Sequence, residues 1–356
     1  AAVTISESGI EATGVGITVA NINGTQIGGR RNIIINGAMQ VAQRSTSAVN
    51  TPAGGPLYNT IDRWLTWADS LDKYSVQQVA DAPSGFKYSL KVLSLGANAD
   101  QSYQAIGQRI ESQNITQLSL GTAYARPFTI SFWVKSSLTG TFTGYCHGVS
   151  SFQPSIVWTY TISDANTWEH KKINIPAATI GSGKFGSGGV EAGLEIGFTL
   201  SGNGYKTANA NTWVNETYKL EVTGLSSVDI TGTNGATFYV TGVQLEAETQ
   251  ATPFEHRNYG EELELCKRYF LKWNKTGSSR YTYSGGYSAH NNSAFIDVTF
   301  NPEMRAAPTA GSFSDANVTS ASWATLNPEC AVYVATATSG SSAGRIASAV
   351  DFSAEL

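Results

Sequence analysis

Charged side chains make up only 14% of this 356-residue sequence, and the net charge is -4. Lysine and arginine form no basic stripe, which argues against a nucleic-acid footprint. Cysteine occurs three times, at Cys146, Cys266 and Cys330. With no Cys-x-x-Cys and an odd count, these spacings fit neither a zinc site nor a disulfide framework. Free thiols from a reducing compartment are the expectation. No apolar run approaches the ~20 residues of a membrane-spanning helix. The N-terminal "AAVTISESGI" lacks the basic-then-apolar layout of a secretory signal, so the usual secretory route is not expected.

Recognisable catalytic patterns are missing too. His147, His170, His256 and His290 have no metal-site spacing. His147 follows Cys146, but neighbours on a strand point to opposite faces, which speaks against a nucleophile pair. "GSGKFGSGG" lacks the Gly-Lys-Ser/Thr ending of a phosphate loop and reads as a surface loop. No Gly-x-Ser-x-Gly occurs. Glu261 and Glu262 suit a helix N-terminus, and Asp62 beside Arg63 suits a structural pair. No catalytic residue, metal ligand or cofactor is therefore assigned, and the chain is not expected to be an enzyme. The loops "ISDAN" and "DAPSG" offer oxygens for calcium but do not approach an EF-hand.

What the sequence does have is glycine, 36 of them, and aromatic rings: 16 tyrosines, 14 phenylalanines and 8 tryptophans. With so little charge, this is the composition of an all-β protein. Alternation locates the strands. "FTISFWVK" places Phe128, Ile130, Phe132 and Val134 on one face, with Trp133 and Lys135 opposite. "IVWTYTI" places Ile156, Trp158, Tyr160 and Ile162 together, and "LEIGFTL" does so for Leu194, Ile196, Phe198 and Leu200. "TFYVTGVQLE" is expected to put Tyr239, Val243 and Leu245 on a common side. No βαβ rhythm appears, so the expectation is an antiparallel jelly-roll β-sandwich. "ANTW", at residues 165–168 and again at 210–213, reads each time as a turn into an aromatic-led strand.

Four regions follow. Residues 1–30 form a thin N-terminal arm for attachment or oligomerisation, in which Val15, Ile17 and Val19 alternate as a strand. Residues 31–257 form the jelly roll. Residues 258–273 form a linking helix, opened by Asn258 and Glu261 in a capping-box arrangement. Its expected apolar stripe is Tyr259, Leu263, Cys266 and Phe270, with Glu264 and Arg268 paired on the wet face. Cys266 is read as a packing residue. Residues 274–356 form a small C-terminal β-domain. Within it Tyr281, Tyr283 and Tyr287, followed by His290 and Asn291, offer rings and polar tips suited to a sugar. They suit a contact between subunits equally well.

"RRNIIINGAMQVAQRS", "IDRW", "TISFWVK", "NTWEHKKINIP" and "TFYVTGVQLEAETQATPFEHRNYGEELELCKRYF" together resemble a module of tailed-bacteriophage virion proteins, notably tail fibres. The likeness runs from about Arg30 to Phe270. It implies a carbohydrate-binding-module-like jelly roll and a role in virion structure or host adhesion, with no catalytic residue to carry over. In that light "NIIINGAMQ" reads as the first jelly-roll strand, turning back at Asn36-Gly37, with Arg30 and Arg31 satisfying acids and backbone at the junction. The resemblance also implies assembly in the host cytoplasm, and by itself it does not place the chain on the tail rather than the capsid. The thin arm and small terminal domain predict a homotrimer. The leading expectation is a location on the virion tail, with other tail proteins as partners of the arm and a host cell-surface glycan as ligand. Nucleic acid and membrane insertion are not expected. The alternatives are a capsid or tail decoration protein that stabilises the particle, and a polysaccharide depolymerase with two carboxylates from distant segments.

Overall fold

The computed structural model describes residues 30–96, 103–150, 154–273 and 293–356, except 203, 205, 248, 313, 314, 317, 338–344 and 347–349. In 1–29 and 274–292 it describes only short strands, by their backbone. Two of these, Ala2–Ser6 and Gly9–Thr13, pair as an antiparallel hairpin. Val15, Ile17 and Val19 lie outside the described residues.

The sandwich strands are β1 (Val49–Asn50), β2 (Gly54–Leu57), β3 (Leu65–Ala68), β4 (Tyr74–Val79), β5 (Ser89–Ser94) and β6 (Gln104–Glu111). They continue as β7 (Phe128–Ser136), β8 (Gly140–Gly148), β9 (Ser155–Ile162), β10 (Glu169–Ile175), β11 (Ala192–Ser201) and β12 (Thr237–Glu246). They form two six-stranded sheets. The first has the order β10-β7-β12-β5-β4-β1 and the second β9-β8-β11-β6-β3-β2. Every pairing in both is antiparallel. Because β5 and β12, or β6 and β11, are neighbours in space but far apart in sequence, the register rests on hydrophobic alternation rather than on hairpin turns.

That alternation holds on β7, β9 and β11, where all twelve expected residues point between the sheets and are buried. Phe132 lies at their centre, with ring centroids 4.9 Å from Phe198 and 5.2 Å from Tyr160. Truncating a buried aromatic of this kind costs about 3–5 kcal/mol. On β12 the expected face is corrected. Phe238 and Val240 face the core, Tyr239 faces out, and beyond Gly242 the inward positions become Val243 and Leu245. The cause is a β-bulge. Ser131 pairs with Gln244 and Trp133 with Thr241, so β12 carries one extra residue there. Gly242 has φ +60°, and a Cβ on it would lie 2.7 Å from the Phe86 ring.

The segment "NIIINGAMQ" is also corrected, because it is not a strand. Asn36 and Met39 both have positive φ, and the chain bends there instead of pairing in a hairpin. The bend is held by long-range polar bonds. Asn36 Nδ2 donates to the carbonyls of Val41 and Asp62, at 2.8 and 2.9 Å, and Trp64 Nε1 donates to the Asn36 carbonyl at 3.1 Å. Gly37 sits so close to β12 that a Cβ would meet the Val243 carbonyl at 2.1 Å.

The helix α1 spans Tyr259–Lys267, with Asn258 Oδ1 accepting from Glu261 N–H at 2.9 Å. It ends earlier than 273 because Phe270–Trp273 is needed as a strand, β13. The further strands are β14 (Tyr287–Ser288), β15 (Ser293–Thr299), β16 (Thr309–Ala310), β17 (Val318–Leu326), β18 (Cys330–Ala337) and β19 (Val350–Ser353). They make the sheets β13-β19-β16 and β14-β15-β18-β17. Val298, Phe300, Met304, Tyr333, Val350 and Phe352 form a separate core for them. The helix stripe is corrected as well. Tyr259 is 54% exposed, while Glu262 and Cys266 are buried. Glu262 is drawn inward because it accepts from Asn36 N–H at 2.5 Å and lies 3.4 Å from Arg257. Glu264 pairs with Lys267, and Arg268 turns to Glu111 instead.

Candidate functional site

Three of the stretches that carry the phage resemblance meet at one junction. Asp62 accepts from the backbone and side chain of Gln43 at 2.9 and 2.5 Å and lies 3.6 Å from Arg44. Burial raises the Asp62 pKa, and Arg44 opposes that rise. Arg63 is 1% exposed, stacks 3.5 Å over the Tyr269 ring and ion-pairs with Glu355. Arg44 stacks 3.6 Å over Phe270. Glu111 accepts from both Arg268 and Tyr269. Arg30 pairs with Glu261, and Arg31 N–H donates to Glu255 at 2.8 Å. Asp62 and Arg63 are thus structural, each with a different partner. Together these residues fasten "NGAMQ", "IDRW" and "CKRYF" to one another, and the C-terminal strands to the sandwich.

Ligand access then depends on the two outward faces of the sandwich. The outward face of the second sheet is covered by the chain's own residues 206–228. Thr207–Ala208 runs parallel to Glu221–Val222 and brings Ala208 and Leu220 down onto Leu65, Trp67, Tyr145 and Val157. Beneath this cover lies Glu195, fully buried. It accepts from Arg109 Nε at 2.8 Å, Trp67 Nε1 at 2.8 Å and Tyr145 Oη at 2.9 Å, and His147 Nε2 lies 3.5 Å away. Burial pushes Glu195 upward, but His147 and Arg109 outweigh it and hold the pKa at about 2. Lys206 closes the top, 4.5 Å from the Tyr218 ring. The groups are packed without room for a water molecule. Cys146 points the other way, into the core, where burial pushes its thiol up; the alternation argument against a Cys/His pair holds.

The first sheet's outward face is partly open: His170 and Lys172 are exposed, and Lys91, Trp133, Trp168 and Tyr239 are half-buried. Lys135 is opposite Tyr239, and Tyr239 opposite Lys91, so one row crosses β7, β12 and β5. Trp168, just before β10, completes it. Lys135 Nζ lies 5.2 Å from the Trp168 ring and 4.5 Å from the Tyr239 ring, and Lys91 Nζ lies 5.8 Å from Tyr239. Asp81, from the "DAPSG" loop, binds Lys135 and accepts from Trp168 Nε1 at 3.3 Å. In the next row Trp133 is opposite His170, their rings 5.0 Å apart. Burial lowers the His170 pKa, and the neighbouring Lys172 lowers it further. Phe86, Phe254 and His256 form a third aromatic group, with Phe86 centred 5.0 Å from Phe254 and 5.2 Å from His256. At the rim a cleft of about 470 Å³ is lined by Gln40, Gln78, Lys87, Tyr88 and Tyr259.

Of the sequence-assigned ligand residues, Tyr287 lies in the short strand β14, while Tyr281, Tyr283, His290 and Asn291 lie outside the described residues. The open face was missed because its members are scattered from residue 81 to residue 239. The only sequence signal was Trp133 and Lys135 on the outer side of β7. The two "ANTW" turns do share a conformation, with Asn166 and Asn211 both at positive φ. Trp168 leads into β10 as expected, whereas Trp213 leads only to a single bridge between Val214 and Ser155. Among the described residues no three His, Cys, Asp or Glu side chains gather as metal ligands. No helix there is long and apolar enough to cross a membrane.

No family model and no curated relative matches the chain. Among solved structures it is similar to the enzymatically active domain of tailspike protein 4 from bacteriophage CBA120, at 14% identity and a TM-score of 0.34. That match covers 60% of this chain and 21% of the tailspike chain, so this chain spans about a fifth of its length. It is also similar to the carbohydrate-binding module TmCBM61 in complex with beta-1,4-galactotriose, at 11% identity and a TM-score of 0.32, covering 62% of this chain and 100% of that one. A third likeness is to the family 11 carbohydrate-binding module of Clostridium thermocellum in complex with a mixed-linked tetrasaccharide, at 12% identity and a TM-score of 0.29, covering 58% and 100%.

Proposed function

We propose that this chain is a virion protein of a tailed bacteriophage, a tail fibre or tail-associated component, that attaches to glycan on the host surface without cutting it. The observation that carries the binding role is the open outward face of the first sheet. Trp133, His170 and Tyr239 stand there on strands, with Trp168 at the entrance to β10, at the scale of an oligosaccharide. Four strands at a spacing of ~4.8 Å span about 14 Å. Flat rings suit the apolar faces of sugars, and sheet-borne side chains need little ordering on binding. The virion role is supported by the resemblance carried by "NIIINGAMQ", "IDRW" and "ELELCKRYF", whose residues lock together at one junction. In this reading the protein is assembled in the host cytoplasm, acts on the tail as a homotrimer, and meets other tail proteins through its N-terminal arm.

The test is binding of the full chain to an array of bacterial surface glycans, with Trp133→Ala and Tyr239→Ala beside it. Retention by the parent, and at least a tenfold loss in both variants with unchanged circular dichroism, is the expected result. No retained glycan, or binding indifferent to both substitutions, ends the reading. Imaging the particle that carries the chain tests its placement: copies flat on the capsid with this face covered would favour the decoration role.

A further inference from the structure

This face has two corners, and each holds a lysine that forms no ion pair among the described residues. Lys91 stands on β5 at one end of the Lys135–Tyr239 row, its ammonium over the Tyr239 ring. Lys172 stands on β10 opposite Ser131, two positions beyond the Trp133–His170 pair. Neither has an acidic side chain within ion-pair distance among the described residues, although the protein as a whole is acidic. The one acid facing this row, Asp81, is bonded to Lys135 and Trp168 and reaches Lys91 only through space. Strand spacing of ~4.8 Å and rise of ~3.4 Å put the two corners roughly 20 Å apart at the backbone, with the rings along the diagonal between them.

Polar groups in between are satisfied from within. Thr241 Oγ1 donates to the Tyr88 carbonyl at 2.8 Å, and the Trp168 indole to Asp81. Such a face has little left with which to read the hydroxyl pattern of a neutral sugar. What it still offers is flat aromatic area, the exposed His170 imidazole, and two ammonium groups that can only donate. Donors without matching acceptors favour a ligand rich in anionic acceptors, and lysine serves them as a point charge without demanding a fixed geometry.

We infer that the ligand of this face is an acidic polysaccharide, its sugar faces on Trp133 and Tyr239 and its negative groups at Lys91 and Lys172. This deepens the glycan-attachment reading and rests on it. The shared chemistry is a repeating anion on a sugar backbone; a uronate carboxylate and a sulfate ester are its two sources.

The experiment uses the full chain in titration calorimetry against polygalacturonate, its fully methyl-esterified form, dextran sulfate, unmodified dextran and single-stranded DNA. Lys91→Gln, Lys172→Gln and the double variant are run beside the parent. The expected result is binding to an acidic polymer at least tenfold tighter than to its neutral counterpart. That preference should weaken several-fold in each single variant, vanish in the double variant and fall with added salt. Preference for polygalacturonate assigns a carboxylate, and preference for dextran sulfate a sulfate. Neutral forms bound as tightly as acidic ones, with no effect of the lysine substitutions, would overturn the inference and leave glycan attachment standing. DNA bound as tightly as the acidic polymers would overturn it as well, leaving a non-selective anion surface. Binding to no polysaccharide would remove both readings.

Discussion

The two outward faces of the sandwich belong to the same fold and are built by the same alternation, yet they end in opposite states. The second sheet turns an acid outward at Glu195, surrounds it with Arg109, His147, Trp67 and Tyr145, and is then covered by residues 206–228. The first sheet turns lysines and rings outward and leaves them only partly covered: His170 and Lys172 are exposed, Lys91, Trp133, Trp168 and Tyr239 are half-buried, and Lys135 is buried beside Trp168 and Tyr239. A charge under a cover is worth its interactions in a medium that screens poorly, so its partners are tied to stability. A charge in water contributes little to the fold and is available for something else. The difference lies in what the chain lays over each sheet, and the strand sequences alone do not disclose it.

The largest expected effect is on the covered face. Glu195→Gln removes the buried anion that accepts from Arg109, Trp67 and Tyr145, and a loss of about 3–5 kcal/mol in denaturant unfolding is expected. A change below about 1 kcal/mol would mean that the covered site tolerates the loss of its charge and that the two faces differ less than their geometry suggests. Acid should sharpen the contrast. Glu195 is held at about 2, below the ordinary glutamate value of 4.5. Its stabilisation is therefore complete above about pH 4.5 and is lost as pH falls through about 2. The stability gap between parent and Glu195→Gln should shrink across that window, as read from urea titrations at stepped pH; a gap constant down to pH 2 would contradict the assignment. A smaller effect is expected at the bulge. Gly242→Ala sets a Cβ against Phe86 at positive φ, costs roughly 1–3 kcal/mol, and displaces Trp133 enough to weaken ligand binding on the open face. Smallest of all, Lys91→Gln with Lys172→Gln should alter unfolding stability by less than about 0.5 kcal/mol. A larger loss would show that these lysines belong to the fold after all.

Much of the sandwich was legible because a strand with one buried face writes its side chains with a period of two. Phe128 to Val134, Ile156 to Ile162 and Leu194 to Leu200 needed nothing more. Legibility failed where one residue breaks the period, as at Gly242, which turns Tyr239 from the core to the surface. It failed again where tertiary bonds overrule local pattern. Ile33, Ile34 and Ile35 look like a strand, but Asn36 is claimed by residues 41, 62, 64 and 262, and the backbone bends to reach them. Tyr259 at the helix start looks apolar-facing, yet the buried position goes to Glu262 because a backbone N–H waits there for an acceptor. The open face could not be read in advance for a related reason. Asp81, Lys91, Trp133, Lys135, Trp168, His170 and Tyr239 become neighbours only once β10, β7, β12 and β5 are placed side by side.

The strand at the edge of the first sheet has a bearing on how copies of the protein coexist. β10 reads Glu169, His170, Lys171, Lys172, and its outer backbone is the natural place for a foreign strand to add. Two such edges meeting would bring lysine against lysine, with only Glu169 to offset them, and that acid is already bound to Lys171. The lysines along this edge therefore disfavour edge-to-edge addition of a second copy there, and addition at this edge would leave the aromatic face beside it unobstructed.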